Sequence, residues 1–106
     1  MKPIQIHPRA RAEVVSAALF YHGESGEALA NDLVAEVERA YGLISETPGI
    51  GSLRYADVLP GLRVRMWPLR RFPYLIFYVD QPDHIDIIRV MHARRDLPAV
   101  LRSPKS

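Results

Sequence analysis

The side chains best equipped for chemistry in these 106 residues are arginines, and their spacing suggests what they would hold. Arg54, Arg63, Arg65, Arg70, Arg71, Arg89, Arg94, Arg95 and Arg102 fill the second half, whereas acidic residues concentrate between Glu13 and Glu46. A guanidinium is planar, stays charged and donates two parallel hydrogen bonds, so a cluster of them suits phosphate and carboxylate alike. Arg63 and Arg65 stand two apart and share a strand face, and Arg89 on a later strand comes within reach if the sheet is contiguous. With Trp67 on the same parity, they make an expected basic face for an acidic partner segment that orders on docking. The plainer alternatives are a solvated charge for each arginine and a core role for Trp67.

Other chemistries find little support. His7, His22, His84 and His92 are scattered through different elements without metal-ligand spacing, and there is no cysteine to supply a thiolate. Asp80, Asp83 and Asp86 flank a turn whose geometry favours aspartate anyway. A phosphate-binding glycine loop, an HExxH pair and a nucleophile elbow are all missing from the sequence. No metal and no cofactor is expected.

The elements that must position the arginines follow from hydrophobic period. Ile4 and Ile6 alternate with polar neighbours in a short strand ended by Pro8, which suits the first turn of a helix. Val14, Val15, Ala18 and Leu19 recur at helical spacing from Arg9 to about His22, predicting one buried face with Gly23 as terminus. Ser25 is the expected cap of a second, longer helix whose stripe is Leu29, Leu33, Val37, Ala40, Tyr41 and Ile44, while Asn31, Asp32, Glu36 and Arg39 read as its solvated face. Thr47-Pro48-Gly49 stops it, and residues 49–61 form a long loop with a short strand near 52–55, retained as a possible contact surface. Leu62, Val64 and Met66 alternate in a half-buried strand, Phe72 to Val79 makes a central one, and Ile85 to Met91 returns from the Asp80–Asp83 turn. Residues 94–101 close the chain as a short helix or tail. The expected fold is α+β in the order β-α-α-β-β-β, a helical hairpin packed on a mostly antiparallel sheet, as one domain over residues 1–106.

The apolar fraction of 48% against 25% charged is that of a globular chain, and a net charge of +2 is too small in total to mark a nucleic-acid binder by itself. The opening residues lack the apolar run of a signal peptide, and no stretch approaches the ~18 apolar residues of a membrane span, so the expected location is the cytoplasm.

The run Leu69-Arg70-Arg71-Phe72-Pro73-Tyr74-Leu75-Ile76-Phe77-Tyr78, followed by Ile88-Arg89-Val90-Met91-His92-Ala93-Arg94-Arg95-Asp96-Leu97-Pro98, resembles the ParE branch of the ParE/RelE toxins. The element order, the length and the opening strand ending in His7-Pro8 extend the resemblance over nearly the whole chain. It implies a toxin of a type II toxin–antitoxin system, neutralised by a cognate antitoxin whose disordered tail wraps the helices and sheet. Within the superfamily, ParE-like members poison DNA gyrase, whereas RelE-like members cut messenger RNA on the ribosome. The resemblance points first to gyrase, with Arg94 and Arg95 as expected target contacts and Arg63, Arg65, Trp67 and Arg89 as expected antitoxin contacts. Where the nuclease branch carries a catalytic arginine on the central strand, this chain has Tyr74. The alternative is a ribosome-dependent endoribonuclease in which Arg65 and Arg71 stabilise phosphorane charge while His92 moves a proton. A third reading is a toxin-like domain that only binds its antitoxin.

Overall fold

The computed structural model describes residues 1–57 and 61–95. Its elements are β1 (Ile4–Ile6), α1 (Pro8–Ser25), α2 (Glu27–Glu46), a single 3-10 turn (Pro48–Ile50), β2 (Val64–Pro68), β3 (Tyr74–Asp80) and β4 (Ile85–His92). The strands form one sheet in the order β1-β4-β3-β2. β3 pairs antiparallel with both β2 and β4, and β1 lies parallel to β4 with Ile4 opposite Ile85. The expected α+β order and mostly antiparallel sheet are therefore what forms. The expected closing helix or tail and Arg102 lie outside the described residues beyond position 95, as do positions 58–60 of the long loop.

From Tyr74 to Val79 the central strand is apolar and aromatic because it is buried on both sides. Tyr74, Ile76 and Tyr78 join Ile85, Ile87 and Val90 beneath the helices, against Ala10, Ala17, Leu33, Val37 and Ile44. Leu75, Phe77 and Val79 face the other way, with Val64, Ile88 and Met91, and meet Tyr55, Met66 and Ala93. This double burial explains the lack of alternation that period-two reasoning would otherwise expect of an antiparallel strand.

Several sequence expectations are corrected. The expected joint over residues 23–26 shortens to Gly26 alone: α1 runs past Gly23 to Ser25, so Ser25 ends the first helix and does not cap the second. Gly26 sits at φ 93°, ψ 178°, a region open essentially to glycine alone, and its N–H closes α1 on the His22 carbonyl. Glu36 is buried, not solvated, because Trp67, Pro68 and Leu69 pass over that part of α2, and its carboxylate pairs with Arg39. The expected strand near 52–55 reduces to one bridge between Ser52 and Met66. That contact is fixed by Tyr78, whose hydroxyl accepts from the Gly51 N–H at 2.8 Å and donates to the Pro48 carbonyl at 2.7 Å. A Cβ at position 51 would meet that hydroxyl at 2.6 Å, so only glycine fits. Burial pushes the Tyr78 pKa up, keeping it in its neutral, donating form.

The largest correction concerns α1. Its buried residues are Ala10 and Ala17, small enough to bring the helix close to β4, while Val15 and Leu19 stand 53% and 67% exposed. The predicted stripe was real as a period but is only half-buried: Val14 and Ala18 pack on the core, Val15 and Leu19 do not.

Candidate functional site

Two concave surfaces flank α1. The first is a cleft of about 760 Å³ between α1 and the C-terminal half of β4. Arg9, Glu13, Ser16 and Phe20 recur at helical spacing along its α1 wall, and Tyr74, Arg89 and Arg95 close the other side. Arg89 points there because of a β-bulge. Tyr78 pairs with Ile87 and Phe77 with Arg89, leaving Ile88 as the extra residue. The inserted residue turns Arg89 towards α1, where its Nε and one terminal nitrogen donate to a single Glu13 oxygen at 2.9 and 2.7 Å. The other Glu13 oxygen accepts the Val90 backbone N–H at 2.8 Å. Glu13 thus stitches the bulge to the helix with three hydrogen bonds, two of them charge-assisted.

At the mouth of the cleft, His92 organises the residues that follow β4. Its Nδ1 accepts the backbone N–H groups of Arg94 and Arg95 at 3.1 and 3.2 Å, which requires that nitrogen to carry a lone pair. The imidazole edge meets the Tyr74 ring with centroids 5.1 Å apart. Arg95 then folds back, donating to the Tyr74 hydroxyl at 3.1 Å and covering Phe20 with its guanidinium 5.7 Å from the ring centre. Arg94 and Arg95 are both exposed.

The second surface is an apolar groove of about 380 Å³ between α1 and α2, on the side away from the cleft. Val14, Val15, Ala18 and Leu19 form one wall, Val34 and Val37 the other, with Arg11 and Glu38 at the rim. Tyr41 closes its floor, its pKa pushed up to about 12 by burial, with Arg11 pulling it down and Glu13 pushing it up to lesser degrees.

The arginines singled out in the sequence do not assemble into one basic sheet face. Arg63 is exposed just before β2 and lies outside the strand. Arg65 donates to the carbonyls of Gly49 and Gly51 at 3.3 and 2.8 Å, tying the loop to β2. Trp67 shares that parity and packs against the helix-side core. Period two says that Arg65 and Trp67 share a face, and the structure turns that face towards the helices. Arg89 is tied to Glu13 on the far side of the sheet from β2. Arg71 lies 3.5 Å from Asp32 on α2 and covers Phe72, so Arg65, Arg71 and His92 are engaged at three separate places. Sequence reasoning missed Arg9, Glu13 and Phe20 altogether. The i, i+4, i+7 and i+11 spacing of Arg9, Glu13, Ser16 and Phe20 was the available signal, hidden because their types are unlike.

Among the described residues, no cluster of three or more histidine, aspartate or glutamate side chains is placed to hold a metal, and no helix is long and apolar enough to cross a membrane.

Comparison with known proteins adds an independent line. The family model for the ParE toxin of the type II toxin–antitoxin system parDE matches residues 4–97. The solved structure of a chromosomal ParDE toxin–antitoxin system from P. aeruginosa superposes with a TM-score of 0.75, covering 89% of this chain and 98% of that one at 20% identity. That likeness speaks for the fold. No curated protein matches the sequence.

Proposed function

The chain belongs to the ParE toxin family of type II toxin–antitoxin systems, and from that membership we propose that it is a cytoplasmic growth-arresting toxin that inhibits DNA gyrase and is silenced by a cognate antitoxin. A role in plasmid stabilisation fits the same reading. The observation that carries the choice of gyrase over messenger RNA is the dispersal of Arg65, Arg71 and His92. A nuclease needs its phosphate-binding arginines and its proton carrier around one phosphate. Here Arg65 holds a loop, Arg71 pairs with α2 and His92 holds a turn through Nδ1.

Arg94 and Arg95 are the target contacts of this proposal. His92 presents both, exposed, from a turn whose shape it fixes. The antitoxin surface is the α1–α2 groove, because an amphipathic helix or an ordering tail seats its apolar side chains in such a trough. Of the basic residues first considered for the antitoxin, Arg63 is the one left exposed to contribute, since Arg65, Trp67 and Arg89 have internal roles.

The test mixes the purified protein with gyrase and relaxed plasmid, and in parallel with translating ribosomes and messenger RNA. Blocked supercoiling or trapped cleaved DNA with intact message supports the proposal, as does loss of at least tenfold potency in Arg94→Gln/Arg95→Gln with antitoxin binding retained. Message cut on the ribosome with gyrase unaffected overturns it in favour of the endoribonuclease reading.

A further inference from the structure

The α1–β4 cleft contains more positive charge than its own carboxylate neutralises. Arg9, Arg89 and Arg95 line it, with Glu13 as the only acidic side chain among the residues lining it. Glu13 is fully occupied by Arg89 and the Val90 N–H, so two guanidinium charges remain for a ligand. Glu13 also shows what chemistry the floor accepts: an oxyanion held by a guanidinium and a backbone N–H, the donor set used for phosphate. Beside these charges stands Phe20, 49% exposed and layered with the Arg95 guanidinium. The Ser16 hydroxyl and the Tyr74 ring complete the lining.

We propose that this cleft binds one nucleotide of a single-stranded nucleic acid, its phosphate on Arg9 and Arg95 and its base against Phe20. A volume of about 760 Å³ is that of a nucleotide-sized ligand and far more than a carboxylate side chain needs. Arginine beside an exposed aromatic is the pairing that holds unpaired strands, the cation tracking the backbone and the ring stacking a base. An acidic peptide would use the arginines and leave Phe20 idle. The proposal is one of binding alone, and no histidine is among the described residues that line the cleft. It shares Arg95 with the gyrase reading, yet the two fail separately: nucleotide binding is read with dT4 alone and gyrase inhibition by supercoiling.

The full chain, freed of antitoxin, is titrated with the thymidine tetranucleotide dT4 and separately with tetraglutamate at equal ionic strength, followed by amide shifts and calorimetry. The expected result is saturable dT4 binding that moves the signals of Ser16, Phe20 and Arg95 and weakens with salt, the logarithmic slope being about −0.7 per phosphate engaged. Arg9→Gln/Arg95→Gln weakens it at least tenfold, Phe20→Ala about tenfold, and Glu13→Gln tightens it severalfold, because the glutamine oxygen still accepts from Val90 while the repelling charge is gone. Arg70→Gln, an exposed arginine off the cleft, leaves it unchanged. If the arginine double variant loses its fold by circular dichroism, the opposite signs of Phe20→Ala and Glu13→Gln decide alone. Tetraglutamate binding as tightly as dT4, equal weakening by Arg70→Gln, or no saturation with dT4 at millimolar concentration each overturns the proposal.

Discussion

Helix α1 treats its two flanks in opposite ways. Towards β4 it offers Glu13, both of whose oxygens are bonded within the fold. Towards the groove it offers Val15 and Leu19, four residues apart, large and mostly in water. On the first flank the charge of Glu13 is used inside the fold, holding the bulge and the helix together, while Arg9 and Arg95 stand beside it. The second flank gains nothing from the fold that exposes it, and an apolar trough left open beside polar rims is the ordinary mark of a partner surface. One helix thus presents different residue types on its two flanks: the ion pair is bonded within the fold, and the apolar pair stays in water on the proposed antitoxin surface.

The sharpest way to break this division is to charge the apolar flank. Val15→Asp/Leu19→Asp should weaken antitoxin binding about 100-fold, or about 2.7 kcal/mol, by burying uncompensated carboxylates at the centre of the interface. Because both positions are exposed in the free chain, the unfolding free energy should move by no more than about 0.5 kcal/mol. Calorimetric titration with the antitoxin and urea denaturation of the free protein give the two numbers. A variant that binds normally would move the antitoxin off the groove, and one that unfolds would make Val15 and Leu19 core residues after all.

The opposite flank should respond in the opposite sense. Glu13→Ala strips the partner from Arg89 and from the Val90 backbone N–H at the bulge, where the Arg89 and Glu13 side chains are each less than a quarter exposed. Leaving them unsatisfied should cost about 2 kcal/mol of folding stability, with little direct effect on the groove. Glu13→Gln retains an acceptor for Val90 and should lose roughly half as much. Urea midpoints of the two variants, read with an unchanged m-value, test this. Equal antitoxin affinity is part of the expectation, and a large loss of affinity with unchanged stability would reverse the assigned roles.

How far the sequence foretold this layout depended on whether one period could decide it. The β3 run from Tyr74 to Val79 and the α2 stripe through Leu33, Val37, Ala40 and Ile44 were legible, because long apolar patterns leave few alternatives. The parity of Arg65 and Trp67 was legible too, but which sheet face meets the helices is a tertiary choice that alternation does not record. The bulge at Ile88 shifts the register within an unbroken apolar run, so nothing local announced that Arg89 would turn to α1. Hydrophobic spacing ended the first helix at Gly23 and opened the joint there, whereas the backbone turns only at Gly26, the last residue of that joint. At the site, Arg94 and Arg95 could be named from resemblance, whereas the cleft could not: its residues come from α1, β3, β4 and the turn beyond, and only packing brings them together.

A smaller effect separates the ionic cleft from the other charged cluster of the molecule, the β3–β4 turn. There His84 sits between two carboxylates, with Nδ1 2.7 Å from Asp83 and Nε2 3.2 Å from Asp86, while Lys2 pairs with Asp80 at 2.5 Å and acts at longer range on Asp83. The Asp83 hydrogen bond raises the His84 pKa above its ordinary 6.5, against a partial opposing effect of burial. A raised folded-state value means that His84 stabilises the fold fully below its unfolded pKa, and that this contribution fades as pH climbs through the higher folded value. The melting temperature of the wild type relative to His84→Asn should therefore fall as pH rises above the ordinary 6.5. No histidine is among the described residues lining the α1 cleft, so the difference between wild type and Glu13→Ala should stay level over the same rise in pH. A flat His84 difference would remove the turn as the source of pH dependence, and a sloping Glu13 difference would show that the cleft is coupled to a titrating group, with His92, in edge contact with Tyr74, the first to substitute.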